Sequence, residues 1–163
     1  HKANIMKLSD GLFRSVFYEV AKEFPSIEAD DKMVDAACMM LVMHPEVFDI
    51  MVMPNLYGDI VSDLTSGLIG GLGLLPSSNL GDTMAMFEAV HGSAPDIAGK
   101  NIANPTAFLW SACMMLEHIG QNETAKNIRR AVDETLAAGK TLTPDLGGTA
   151  TTEAYTKAVI ERL

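Results

Sequence analysis

Phe48-Asp49-Ile50-Met51-Val52-Met53-Pro54-Asn55-Leu56-Tyr57-Gly58-Asp59-Ile60-Val61-Ser62-Asp63 joins a short apolar run, a Pro-Asn break and a helix-spaced segment. The run 48–53 predicts a buried strand closed by Pro54-Asn55. From Gly58 to Leu68, Ile60, Val61, Leu64 and Leu68 recur at helical spacing and predict a helix. A strand passing directly into a helix is the unit step of an α/β protein, and ligands favour the carboxyl ends of its strands. Asp59 and Asp63, four apart, share one helix face and repel unless a cation lies between them. Two readings stand. Either the pair holds a hard cation such as Mg²⁺ or Mn²⁺ through oxygen ligands, or Asp59 caps the helix start and Asp63 faces solvent.

Working outward, Leu12, Phe13, Val16, Phe17, Val20, Ala21 and Phe24 predict an amphipathic helix over 10–24, stopped by Pro25. A second helix is expected over 33–43. Gly70-Gly71-Leu72-Gly73 breaks the pattern, and 84–90 reads as another strand. Helices follow at 105–119, 123–138 and 151–163, with Asn104-Pro105 suited to open the first. Helices alternating with short buried strands, without hairpin signals, indicate an α/β fold with a parallel-core sheet flanked by helices. The strands are too few for a doubly wound sheet, and the chain starts at His1, so part of a longer fold is expected.

The composition narrows the function classes. In 163 residues, 48% hydrophobic content excludes disorder by low hydrophobicity. No run approaches the roughly 18 apolar residues of a membrane span. A net charge of -9 argues against nucleic acid, whose binders show basic faces. The charge is uneven, because residues 1–90 carry 13 acids against 5 bases. Cys38 and Cys113 lack metal-ligand or disulfide spacing, which suits core positions and a reducing intracellular compartment.

Three further segments compete for chemistry. Gly67-Leu68-Ile69-Gly70-Gly71-Leu72-Gly73 is no nucleotide fingerprint, since it ends a helix where a fingerprint opens one. The segment 88–100, EAVHGSAPDIAGK, lies between a strand and a helix. Its small residues admit a ligand to the backbone, and Asp96 could accept from a ribose diol; a Gly/Pro-punctuated surface loop explains it equally well. Lys2 and Lys7 bring cations into an acidic half, and a lysine beside carboxylates can serve as acid or base.

HKANIMK at 1–7, MVDAACMMLV at 33–42, NLYGDIVSD at 55–63, FEAVHGSAPDIAGKNIANPTA at 87–107 and TPDLGG at 143–148 occur in that order. Together they resemble the β-decarboxylating dehydrogenases, the isocitrate and 3-isopropylmalate dehydrogenase family. The resemblance covers essentially the whole chain but only the C-terminal part of a family chain. It implies the C-terminal portion of the isocitrate/isopropylmalate dehydrogenase-like fold. Residues 1–90 would belong to a dimerisation and metal-binding domain, and residues 91–163 to a nucleotide-binding domain.

The resemblance implies a Mg²⁺ or Mn²⁺ site using Asp59 and Asp63 of one subunit and Asp35 of its dimer partner. Lys2 is similar to the family's catalytic lysine, also reaching across the homodimer, with Asn4 beside it near substrate. Glu88, His91, Gly92, Ser93, Ala94, Pro95, Asp96, Ile97 and Asn104 resemble the adenine-nucleotide loop. Relatives that use NADP tend to place a basic residue and a tyrosine where this chain has Asp96 and Ile97. An acid there repels a 2′-phosphate, so NAD is expected. The tyrosine and the arginines that act on substrate would lie before His1.

The implied reaction is oxidative decarboxylation of a small 2-hydroxy acid, isocitrate to 2-oxoglutarate, with 3-isopropylmalate, homoisocitrate or a tartrate-like acid as alternatives. A competing expectation is a truncated fragment or paralogue that only dimerises and binds nucleotide. A plain structural domain would leave the ordered motif matches as coincidence. Bacterial cytoplasm and mitochondrial matrix both fit, and secretion does not.

Overall fold

The computed structural model describes residues 1–163. The chain divides into two compact units, His1–Leu68 and Ile69–Leu163.

The first unit contains three helices: α1 (Ser9–Ala21), α2 (Val34–Met43) and α3 (Asn55–Leu68). A 3₁₀ turn, Pro45–Val47, follows α2. The core is small, with Ala37 and Leu41 of α2 and Val61 of α3 buried and α2 packed on α3. α3 starts three residues before the expected Gly58. Pro54 carbonyl accepts the Gly58 N–H at 2.9 Å, so Asn55-Leu56-Tyr57 already form its first turn.

The strand expected at 48–53 is not a strand. Extended backbone becomes sheet only by pairing, and no other segment of His1–Leu68 pairs with it. Ile50 and Val52 are exposed.

In the second unit, β1 (Pro76–Leu80) and β2 (Ala85–Ala89) form an antiparallel hairpin, registered from Pro76 opposite Ala89 to Leu80 opposite Ala85. The α/β class therefore holds, whereas the chain's own sheet is antiparallel, contrary to the expected parallel pairing. The hairpin escaped the sequence reading because Pro-Ser-Ser-Asn-Leu has little strand propensity. Its ladder is made by main chain, and Gly81 N–H closes the turn on Met84 carbonyl at 2.9 Å.

α4 (Thr106–His118) packs on both strands and on α5 (Asn122–Ala138), and α5 packs on α6 (Thr152–Ile160). These packings keep the hairpin with the C-terminal helices, in the unit Ile69–Leu163. Ala131, Val132, Tyr155 and Val159 form the core, with Leu109, Trp110, Ile128 and Leu136 against it. α5 ends at Gly139, whose φ of 65° supplies the left-handed cap. Thr151 caps α6 by accepting the Ala154 N–H at 3.1 Å. Cys113 is fully buried in α4, which pushes its thiol pKa up. No helix is long and apolar enough to cross a membrane.

Candidate functional site

Lys2 sits in a turn ahead of α1, and its main chain is held on both sides. Its carbonyl accepts the Ile5 and Met6 N–H groups at 3.0 and 2.8 Å, and its own N–H donates to Asp10 Oδ2 at 2.6 Å. Just before it, His1 carbonyl accepts the N–H of Val34, the first residue of α2, at 2.9 Å. The turn is thereby tied to two helices.

The Lys2 ammonium donates to Asp35 Oδ1 at 2.6 Å. Asp35 lies in the first turn of α2, where the helix dipole favours a negative charge. The Lys2 hydrogen bond holds its carboxyl below the usual carboxylate range. Asn4 is exposed in the same turn.

Asp59 and Asp63 lie on successive turns of α3, and both are exposed. Because α3 starts at Asn55, Asp59 falls after the first turn, and the capping alternative does not hold. Neither carboxylate meets a Lys, Arg or His at ion-pair distance, so their oxygens are open to a cation. No three His, Cys, Asp or Glu side chains of the chain converge on one point. A divalent site on α3 therefore needs a further ligand from a substrate or a second copy. Exposed aspartates with free oxygens suit Mg²⁺ or Mn²⁺, which take one or two carboxylates and complete their shell elsewhere.

The sequence reading missed Asp10 and Tyr57. Asp10, in the first turn of α1, is only 5% exposed, and Tyr57 donates its hydroxyl to Asp10 Oδ2 at 2.8 Å. The Lys2 N–H and then the Tyr57 hydroxyl hold the Asp10 carboxyl below its ordinary range. The same contact pushes the Tyr57 phenol up. Asp31 was missed as well. It accepts from Arg14 at 3.0 and 3.1 Å and from Tyr18 at 2.5 Å, and its Oδ2 lies 2.9 Å from His1 Nε2.

In the second unit a cleft of about 700 Å³ runs between the 89–104 loop, the start of α4 and the Pro144–Asp145 turn. Of the residues singled out from sequence, His91, Gly92, Ser93, Ala94, Ile97 and Asn104 line it, and Glu88, Pro95 and Asp96 do not. Glu88 lies on β2 and accepts from Asn79 Nδ2 at 3.2 Å. Pro95 and Asp96 occupy the centre of a turn in which Ile97 N–H donates to Ala94 carbonyl at 3.1 Å, and both are exposed. Proline suits that position because its φ is preset.

The cleft wall is pinned. Asn104 Oδ1 accepts the Thr106 N–H at 3.0 Å, opening α4, while its amide donates to Asp145 Oδ2 at 2.9 Å. Asn101, with φ of 56°, accepts the Thr152 and Glu153 N–H groups at 2.9 and 3.2 Å through its main chain and side chain. Gly73 belongs to the wall too, because a Cβ there would come within 2.9 Å of Asp145 Oδ2. A cleft of this size accommodates one end of a dinucleotide.

The full length of the chain, residues 1–163, matches the isocitrate/isopropylmalate dehydrogenase family. The chain belongs to that family. It is 60% identical to an isocitrate/homoisocitrate dehydrogenase of Thermus thermophilus, over all of this chain and 48% of the relative. It is 56% identical to a 3-isopropylmalate dehydrogenase of Archaeoglobus fulgidus, over all of this chain and 50% of that relative. The crystal structure of isocitrate dehydrogenase from Methylococcus capsulatus superposes with a TM-score of 0.89 at 54% identity, covering 99% of this chain and 48% of that one. The chain thus spans about half the length of the family members it matches.

Proposed function

We propose that the protein carrying this chain is an NAD-dependent, divalent-metal-dependent oxidative decarboxylase of a 2-hydroxy acid, with isocitrate as substrate and 2-oxoglutarate as product. The observation that carries the reading is the Lys2 ammonium 2.6 Å from Asp35 Oδ1 in a chain of this family. It supports a lysine whose tip is aimed by a carboxylate, as positioned proton transfer requires.

Asp59 and Asp63 would hold Mg²⁺ or Mn²⁺ together with Asp35 of a second copy, in a homodimer with shared sites. When bound, the cation would supply a Lewis acid toward the substrate's hydroxyl oxygen, and NAD would supply the hydride acceptor. Lys2 moves the proton at the substrate's hydroxyl oxygen, and Asn4 lies beside it toward substrate. His91, Gly92, Ser93, Ala94, Ile97 and Asn104 hold the adenine end of the cofactor, with Glu88 at the loop's edge. Asp96, following Pro95 in its turn, accepts from a ribose diol and repels a 2′-phosphate, which selects NAD over NADP.

The names of the Thermus and Methylococcus relatives, and the strings HKANIMK and VMPNLYGDIVSD, favour isocitrate. The Archaeoglobus relative favours 3-isopropylmalate as the second reading. Turnover of the full-length protein on isocitrate, homoisocitrate, 3-isopropylmalate and tartrate, with NAD or NADP and with Mg²⁺ or EDTA, separates them. The 163 residues alone are expected to show negligible turnover, because positioning supplies much of catalysis and they span about half the length of their relatives.

A further inference from the structure

Asp10 is the one charged side chain among the buried residues of the chain, and no cation pairs with it. A buried carboxylate is costly unless its oxygens are satisfied. Here they are met by three donors: the Lys2 N–H at 2.6 Å, the Tyr57 hydroxyl at 2.8 Å and the Ser9 hydroxyl at 3.2 Å. Two of these come from the segments that carry the chemistry. Lys2 is the proposed proton carrier, and Tyr57 lies two residues before Asp59.

The main-chain bond matters because a lysine's ammonium hangs on a flexible four-carbon stem. Asp35 orients the tip of that stem, and Asp10 fixes the backbone from which it starts. Tyr57 in turn fixes Asp10, since the helix α1 that bears it otherwise presents a mobile carboxylate rotamer to the turn. We propose that Asp10, anchored by Tyr57, is a positioning residue for Lys2, setting where the lysine's stem begins so that its ammonium meets substrate. The inference rests on the proposed role of Lys2.

The test uses the full-length protein, with Asp10→Ala and Tyr57→Phe made alone and on Lys2→Ala. Asp10→Ala is expected to lower kcat about 10²-fold, the cost of a misplacement near 1 Å, with the KM for NAD changed by less than about twofold. Tyr57→Phe, which keeps the ring, should lower kcat several-fold in the same pattern, and it carries the test should Asp10→Ala not fold. On the Lys2→Ala background either change should alter the remaining kcat by less than about twofold, because the group being positioned is gone. Equal losses with and without Lys2 would overturn the inference, since a purely structural role does not depend on the lysine. Unchanged kcat in both single variants would overturn it too. Wild-type turnover in Lys2→Ala would instead overturn the reading of Lys2 itself, and the inference with it.

Discussion

The ammonium of Lys2 and the carboxylate of Asp35, 33 positions apart, meet at 2.6 Å within one chain. One residue lies in a turn and the other in the first turn of α2, so the pair forms only when the loop and helix are correctly placed. The tip of the lysine is thereby aimed by a partner of opposite charge. Lys2→Met in the full-length protein removes the ammonium and keeps much of the stem. It is expected to lower kcat by about 10²–10⁴-fold, the usual share of a general acid or base. Steady-state kinetics at saturating NAD and Mn²⁺ check this, and a kcat within a few-fold of wild type would contradict it.

Asp59 and Asp63 have the opposite character, open and unpaired. Like charges four apart destabilise a helix by about 0.2–0.5 kcal/mol. Asp59→Asn or Asp63→Asn should therefore leave the metal-free melting temperature unchanged or slightly higher, while the rise in melting temperature on adding Mn²⁺ is lost. Thermal melts with and without Mn²⁺ decide it, and an undiminished shift would remove both residues from the metal site.

Much of the helical layout was legible from residue spacing. In α5, Ala125, Ile128, Ala131, Val132, Thr135 and Leu136 fall three and four apart, and these positions are buried or half-buried. The strand read at 84–90 is β2, and the two other strand segments were misread. The apolar run 48–53 carried a strand's composition but finds no partner, and β1 has a partner but a polar composition. Pairing is a property of two segments, and no local pattern reports it. The site divides in the same way. That Asp59 and Asp63 share one helix face is read from their spacing, whereas Asp10 reads as an ordinary first-turn acid. Its burial and its link to Tyr57 appear only when the turn folds over α1.

Acid stability offers an independent check on the first unit. Asp31 is held below the usual carboxylate range chiefly by its hydrogen bonds from Arg14 and then from Tyr18. A folded pKa below the unfolded one gives stability that is fully present above the unfolded value. That stability is lost as pH falls from there through the folded value. Below about pH 4, wild type should therefore lose an increment of stability that Asp31→Asn never had. Denaturation midpoints of the two proteins should converge on acidification. A gap that stays constant from neutral pH into the acid limb would contradict the assignment.

In the second unit, Thr106 donates its hydroxyl to Tyr155 at 2.7 Å, with both residues fully buried. Tyr155→Phe leaves the Thr106 hydroxyl unpaired and should cost about 1–3 kcal/mol. Thr106→Val combined with Tyr155→Phe should cost less than the two single changes added, since no orphan remains. Urea denaturation of the four proteins measures the coupling, and simple additivity would show that the hydroxyl pair contributes nothing of its own.

The proposed reaction is a hydride transfer to NAD coupled to loss of CO₂ at a metal site built from these residues. The most direct measurement is paired NADH and CO₂ formation by the full-length protein with isocitrate and Mn²⁺, using NAD or NADP as cofactor. Equal amounts of NADH and CO₂ are expected, with loss of both in EDTA and a higher kcat/KM with NAD than with NADP. NADH without CO₂, turnover indifferent to EDTA, or a preference for NADP would contradict it.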